Sequence, residues 1–454
     1  MSSFVTNVAI LGSGFGGIEV LKNLQKQFHN NKNIEITLVS KDNFFLFTPM
    51  LAEVASGMIE TRHIVTPVRS FCKKAKFIEA DVQSIELVNK QVILTHEIDT
   101  KSQANDWHKH TLKYDYLVIA LGSENNFFKM TDVQKHSFSM KTINDAIILR
   151  NHIINMLERA SLEDNVELRK NLLTFVVSGG GFTGVETAGA INDFVRESIR
   201  DHYKNIYMTE VRIILIDIND KLLLEVDEQL GEFALEKLKA RGVEFMFKSP
   251  VSGATTNSVK LHNGTIIPSY TLIWTAGVTP SKLIVELAAC EHDASHRIVV
   301  NNYLEVPGYN GKVYALGDCA SVTDPRSGKP YSQTAQHAIR QGKVAAKNII
   351  SSIKRKAKKK KFDYKTKGMM AEIGRRVGVA ILFDRIKLHG FVAWWLWRTY
   401  YLANLPTANK KLKVLGDWTS DLIFKPDISM IKVTSILETD IGREVQESNS
   451  NKDV

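Results

Sequence analysis

The chain has 454 residues, 44% apolar and 24% charged, with a formal net charge of +10 at pH 7. That length corresponds to roughly three domain-sized units, and no apolar run reaches the roughly 20 residues of a spanning helix, so no segment crosses a bilayer alone. Cys72, Cys290 and Cys319 form neither a CxxC nor a metal-ligand spacing, which argues against a metal centre and for a reduced setting.

In chain order, the first predicted element is the strand Val8-Ala9-Ile10-Leu11. Gly12, Gly14 and Gly17 follow in G-x-G-x-x-G order, and then the helix-like "IEVLKNLQKQF". The glycines allow a tight turn, close backbone approach to a pyrophosphate and close helix–strand packing. The phosphates would face the positive helix N-terminus. A strand this early leaves no room for a cleaved signal. The next strand, "IEITLVS", ends in Ser40-Lys41-Asp42, with no acid where a ribose is usually clamped; Ser40 or Asp42 would substitute. The polar insertion 97–111 predicts a surface loop, and "YDYLVIALGS" predicts an apolar strand closed by Ala120 and Gly122.

The pattern then repeats. "LLTFVV" leads into Gly179, Gly181 and Gly184, with Glu186 two residues on, and the following strand "VRIILID" ends at Asp217. A carboxylate there accepts hydrogen bonds from a ribose diol and repels a 2′-phosphate, which predicts NAD over NADP. By position alone Glu186 reads as a first-turn helix acid favoured by the macrodipole. "YTLIWTAGVTP" matches the earlier "YDYLVIALGS", and "GKVYALGDCA" ends a strand at Gly317-Asp318, where an acid can bond the hydroxyls of a flavin side chain.

Residues 354–361, "KRKAKKKK", carry seven cations in eight positions. They read as a solvated link or as a contact for an anionic surface. The run has no interleaved aromatics and no nucleic-acid-binding fold around it, so nucleic acid is set aside. "LHGFVAWWLWRTYYLANL" (388–405) predicts one amphipathic helix with Leu388, Val392, Trp395 and Leu402 on a face that Phe391, Trp394 and Trp397 widen. Tryptophan and tyrosine favour the headgroup zone of a membrane. "WTSDLIF" is a second amphipathic piece, and the tail after Val445 reads as disordered.

"LGSGFGG", "FLFTPMLAEVASG", "YDYLVIALGS", "VSGGGFTGVETAGAI", "WTAGV", "ALGDCA" and "TAQHAIRQGK", in this order, resemble the two-dinucleotide-binding flavoproteins, and within them the type II NADH:quinone oxidoreductases. The resemblance implies an α/β fold with two Rossmann-like dinucleotide-binding domains of the glutathione-reductase type. FAD would occupy 1–135 and 286–350, NADH the inserted 136–285, and 351–445 would form a C-terminal amphipathic helical membrane-docking region before a disordered 446–454. For FAD it implies Gly12, Gly14, Phe15, Gly16, Gly17, Ser40, Lys41, Thr48, Pro49, Val82, Ala120, Gly122, Asp318 and Ala335. For NADH it implies Gly179, Gly181, Phe182, Thr183, Gly184, Glu186, Asp217, Ala276 and Gly277, with Glu186 catalytic beside the nicotinamide. Gln336 would contact a membrane quinone, with His337 and Arg340 beside it. Arg340 stands where the family often has a second Gln, and Gln341 follows.

The implied protein is peripheral, on the cytoplasmic face of the cell membrane, without proton pumping; whether the C-terminal surface also forms a homodimer is left open. Deleting 385–454 is expected to release it from membranes and spare the nucleotide half. Sulfide:quinone oxidoreductases share the scaffold but need a cysteine pair at the flavin, for which Cys290 and Cys319 are the candidates. Disulfide reductases need a pair where this chain reads "KDNFFLFTPM". A flavoprotein of the apoptosis-inducing-factor type, in which NADH changes shape or partners, lacks the C-terminal segment.

Overall fold

A chain order repeated over four strands generates two similar sheets, which differ in whether the edge strand comes last or first in the sequence. In the computed structural model, which describes residues 5–97, 107–355, 358–425 and 427–430, the first sheet has the spatial order Val313–Ala315, Tyr116–Ile119, Thr6–Leu11, Ile34–Ser40, Lys76–Glu79. The second has the order Phe138–Ser139, Thr271–Trp274, Thr174–Ser178, Arg212–Ile216, Val243–Met246. All pairs in both are parallel. Each glycine loop therefore leaves the central strand of its sheet. The central strand Thr174–Ser178 is buried at every position, as expected for a parallel strand covered on both faces, so its centre is the apolar run Phe175-Val176-Val177 and not an alternation.

Each half also carries a three-stranded antiparallel meander, 81–113 in the first and 251–268 in the second. The insertion 97–111 is only in part the expected loop. Trp107–Lys113 is a strand paired along Gln91–Glu97, where the ladder satisfies the backbone of a polar sequence; residues 98–106 lie outside the described residues. The chain crosses between halves at Glu124–Asn125 and Val278–Thr279, which pair with each other.

The helix Ala335–Ile353 packs on Phe15–Phe28 so closely that a Cβ at Gly342 would lie 2.6 Å from the Gly16 carbonyl oxygen. Beyond it, the second half of the basic run is pinned and not a free link. The Asn348 side chain bonds both the N–H and the carbonyl of Lys360, Ser351 donates to the Lys358 carbonyl, and Lys359 pairs with Glu305.

The C-terminal part is an antiparallel sheet, Gly368–Glu372, Gly378–Leu382 and Ile386–Gly390, followed by helices Phe391–Asn404 and Ala408–Ile423. The single helix expected over 388–405 is shorter. Leu388 and His389 are strand residues opposite Ala380 and Val379, and Gly390, at φ +72°, turns the chain. Trp394 and Trp397 do not widen an outer face: both are buried. In a helix apolar nearly all round, sequence spacing does not say which side meets the protein. Among the described residues no helix is long and apolar enough to cross a membrane. The tail 446–454 and Pro426 lie outside the described residues.

Candidate active site

The two glycine loops have one geometry. Gly12 (φ +103°) and Gly179 (φ +117°) adopt a backbone that side chains disfavour, and a Cβ would strike the Ala120 carbonyl oxygen at 2.2 Å in one and Thr275 Oγ1 at 2.7 Å in the other. A Cβ at the third glycine, Gly17 or Gly184, would sit 1.9 or 1.7 Å from the carbonyl oxygen of the first. Around the middle glycine, Gly14 or Gly181, no atom of the described residues beyond its chain neighbours lies within 4 Å of a built Cβ. These residues start helices Phe15–Phe28 and Phe182–His202 with no side-chain cap among the described residues, which leaves first-turn N–H groups as donors for a ligand. Space, direction and partial charge fit a pyrophosphate at both places.

Around the first loop, the Ser13 and Ser40 hydroxyls bond at 2.8 Å, and the Phe15 ring packs edge-on to Phe45 and Phe47. Thr48 and Pro49 form a short turn next in the chain. Asp318 follows the edge strand Val313–Ala315; its Oδ2 accepts from Ser123 Oγ at 2.8 Å, and Lys141 Nζ donates to the same hydroxyl at 2.7 Å. Burial lowers the Lys141 pKa, opposed by the Asp318 and Glu124 charges. Gly122, in the same turn as Ser123, leaves open space at its Cβ. Ser123 and Lys141 were not singled out from the sequence, having no motif of their own. Lys41 is exposed, Val82 pairs with Leu94 in the meander, and Ala335 opens its helix.

In the second half, Phe182 and Thr183 begin the helix and Asp217 follows the strand Arg212–Ile216. Its Oδ2 accepts from Gly180 N, tying the acid to the loop, and its Oδ1 accepts from Asn219 N and Nδ2 at 2.6 and 2.8 Å. Ala276 lies against Gly179, and Gly277 (φ +111°) packs on Phe128.

Glu186 is the fifth residue of its helix and not a first-turn acid. Its Oε1 accepts from Trp397 Nε1 and from Glu372 N, both at 3.2 Å. Enclosure by the protein, with the Glu372 charge adding to it, pushes its carboxyl up to about 8 against those hydrogen bonds. Tyr401 stacks edge-on to Trp397 at 4.6 Å and to Phe47 at 6.0 Å, so the C-terminal helix bridges both halves at this point.

Gln336 lines a cavity of about 400 Å³ with Thr334, Thr366, Met369 and Glu225. Its Nε2 donates to the Gly368 carbonyl at 3.0 Å and its Oε1 accepts from Tyr364 OH at 3.2 Å. His337 is buried, with Nδ1 2.8 Å from both the Ser332 carbonyl and the Thr334 hydroxyl, and Nε2 3.2 Å from Thr366 Oγ1. Burial lowers its pKa, so it stands neutral at pH 7. The Arg340 guanidinium lies 4.7 Å over the Tyr364 ring. Gln341 is buried, and its Oε1 accepts from Gly317 N at 2.7 Å, holding the turn that carries Asp318.

All three cysteines are free. Cys319 is buried, with burial pushing its thiol up to about 11.

Two parallel sheets that share four of their five strand positions, each with a glycine cradle at the end of its central strand, define a protein with two dinucleotide sites. The family pattern of the pyridine nucleotide-disulphide oxidoreductases matches residues 6–342, and the chain belongs to that family. Within it, the chain belongs with the type II NADH:quinone oxidoreductases. It is 36% identical over 424 residues to a probable NADH dehydrogenase of Dictyostelium discoideum, covering 92% of this chain and 90% of that one. It is 32% identical over 424 residues to the type II NADH:quinone oxidoreductase Ndh of Mycobacterium tuberculosis, covering 91% and 87%. The fold is similar to NDH2 from Plasmodium falciparum in complex with NADH, with a TM-score of 0.84 at 22% identity over 94% of this chain and 100% of that chain.

Proposed function

We propose that this chain is a peripheral-membrane flavoprotein that passes two electrons from NADH, through FAD, to a membrane quinone without pumping protons. The observation that carries this reading is the duplicated cradle, open at Gly14 and again at Gly181. The first cradle, with Asp318, would hold FAD; the second, with Asp217, would hold NADH. Domain limits of 1–135 and 286–350 for FAD, 136–285 for NADH and 351–445 for docking accompany it. Bound flavin supplies the exchange of electrons between nicotinamide and quinone; the chain aligns both and shuts out water. Glu186 would hold a proton at its carboxyl, and Gln336 would orient a quinone carbonyl.

Docking is supported by an apolar patch. Phe391, Val392 and Trp395 on one C-terminal helix and Leu412, Leu415 and Ile423 on the next are exposed, with Lys410, Lys411 and Lys413 beside them. Large apolar side chains left exposed on two successive helices are the kind of surface that contacts a partner or a membrane. A bilayer fits the aromatics and cations; a second copy of the chain is the alternative occupant. Deleting 385–454 does not test docking cleanly, because it removes Trp397, Arg398 and Trp418, which pack inside. Replacing Phe391, Val392 and Trp395 together by serine is the sharper variant. Vesicle flotation should show binding at least ~10-fold weaker, as several kcal/mol of apolar transfer is lost, with NADH-dependent bleaching intact. Unchanged flotation would remove this patch from the contact.

The activity test is NADH oxidation with and without a short-chain quinone analogue. Strong acceleration is expected. An unchanged rate with a flavin that NADH still bleaches would favour the sensor reading. In the Asp217→Arg variant, discrimination against NADPH should fall at least ~10-fold, since a phosphate donor replaces a ribose acceptor. Unaltered selectivity would take Asp217 out of the site.

A further inference from the structure

Behind Glu186 lie two more carboxyls for which the reading above has no use. Glu372 is on the strand Gly368–Glu372 and Glu53 on the short helix Leu51–Ala55; both are nearly sealed from solvent, at 5% and 1% exposure, whereas Glu186 is partly open. Each of the three is held by the indole N–H of a different tryptophan: Trp397 to Glu186 at 3.2 Å, Trp394 to Glu372 at 2.9 Å and Trp418 to Glu53 at 2.9 Å. Among the described residues, Arg398 is the cation that acts on Glu53 and Glu372. The Arg398 guanidinium lies 3.5 Å from Glu53 Oε1 and stacks over Trp394 and Trp418 at 4.3 and 4.6 Å.

The surrounding charges are engaged elsewhere. Asp193 pairs with Arg241, and Glu197 and Asp421 pair with Arg375. Arg150, on the helix packed behind Glu53, is turned to the Asp427 and Ser429 carbonyls. Three buried anions against one guanidinium would cost far more than one ion pair returns, so charge balance favours protons held within the carboxyl group over three ionised side chains. Glu53 Oε2 supports this, being buried with no hydrogen-bond partner among the described residues. Burial raises the Glu53 and Glu372 carboxyls above the usual range, against the pull of Arg398.

We propose that Glu53 and Glu372 are a buried proton store behind Glu186, which passes protons outward to the quinone. The inference rests on the quinone-reductase reading. NADH + quinone + H⁺ gives NAD⁺ + quinol: two electrons and one proton come from NADH, two O–H bonds form, and the remaining proton comes from water. The store lends that proton through Glu186 and is refilled from the medium, so turnover does not wait on proton entry.

The test uses the holoenzyme and its Glu53→Gln and Glu372→Gln variants. Infrared spectra of the wild type at pH 7 should contain the carbonyl stretch of protonated carboxylic acids, slow to shift in D₂O, and each variant should lose part of it. Quinone reduction by the variants should slow about ten-fold, most at alkaline pH where water supplies few protons, while NADH-dependent flavin bleaching keeps its rate. A wild-type spectrum with every buried carboxyl ionised overturns the proposal, whether or not the variants fold. So does an unaltered pH profile of quinone reduction in both variants. Failure of quinone to accelerate NADH oxidation by the wild type would instead overturn the underlying function.

Discussion

Gly14→Val should yield a folded protein that purifies without colour. Gly14 sits at φ −71°, ψ −171°, a conformation open to valine, and its Cβ would touch no protein atom. Circular dichroism should therefore match that of flavin-stripped wild type. The valine methyls would fill the space in which first-turn amides meet the pyrophosphate. Losing two charge-assisted hydrogen bonds at about 1.5–3 kcal/mol each weakens flavin retention by at least ~100-fold. Gly181→Val, in the same geometry at φ −76°, ψ −173°, should stay yellow but lose bleaching by NADH. Gly416→Ala, another open glycine but on a C-terminal helix, should keep both properties. A yellow Gly14→Val protein would separate the first loop from flavin, and exchanged phenotypes would reverse the two assignments.

Glu186→Gln should change both turnover and the pH dependence of stability. In the folded chain the carboxyl keeps its proton up to about 8, against about 4.5 when unfolded. The folded state thus binds more protons between those values. The contribution is fully present below pH 4.5 and is lost as pH rises to about 8, after which it is level. The span amounts to up to about 5 kcal/mol, less whatever water screens at the open side of the residue. Glutamine is neutral throughout, so the variant should gain on the wild type in denaturant titrations as pH rises through this window. Quinone-dependent turnover should drop about 100-fold if the carboxyl supplies a proton. Parallel stability curves from pH 5 to 9 would show that Glu186 is ionised in the fold.

The nucleotide half was readable because its constraints are local. A tight turn, close packing and an open phosphate seat each demand glycine at a set offset, and a covered parallel strand demands an apolar run. Gly12, Gly14 and Gly17, their counterparts at 179, 181 and 184, and the acids Asp217 and Asp318 could be picked out in this way. Ser123 and Lys141, which hold Asp318, carry no such signature, since their value comes from contacts across 195 and 18 residues of chain. His337 and Arg340 carry helical spacing alone, which does not tell a neutral histidine locked by Ser332 and Thr366 from a ligand facing an open cavity.

The C-terminal part was least legible. The crowd of tryptophans suggested a membrane, and part of that surface is exposed, but Trp394, Trp397 and Trp418 point inward and donate to three carboxyls. Amino-acid order by itself determined that there are two cradles, that each follows an apolar strand, and which acids end the neighbouring strands, because these follow from short-range sterics and burial. Only the tertiary structure decided which face of the aromatic helix is inside, and that Glu53 and Glu372 lie near Arg398 with Glu186 against the Glu372 backbone. Those residues stand on four elements up to 345 positions apart, and nothing short of packing brings them together.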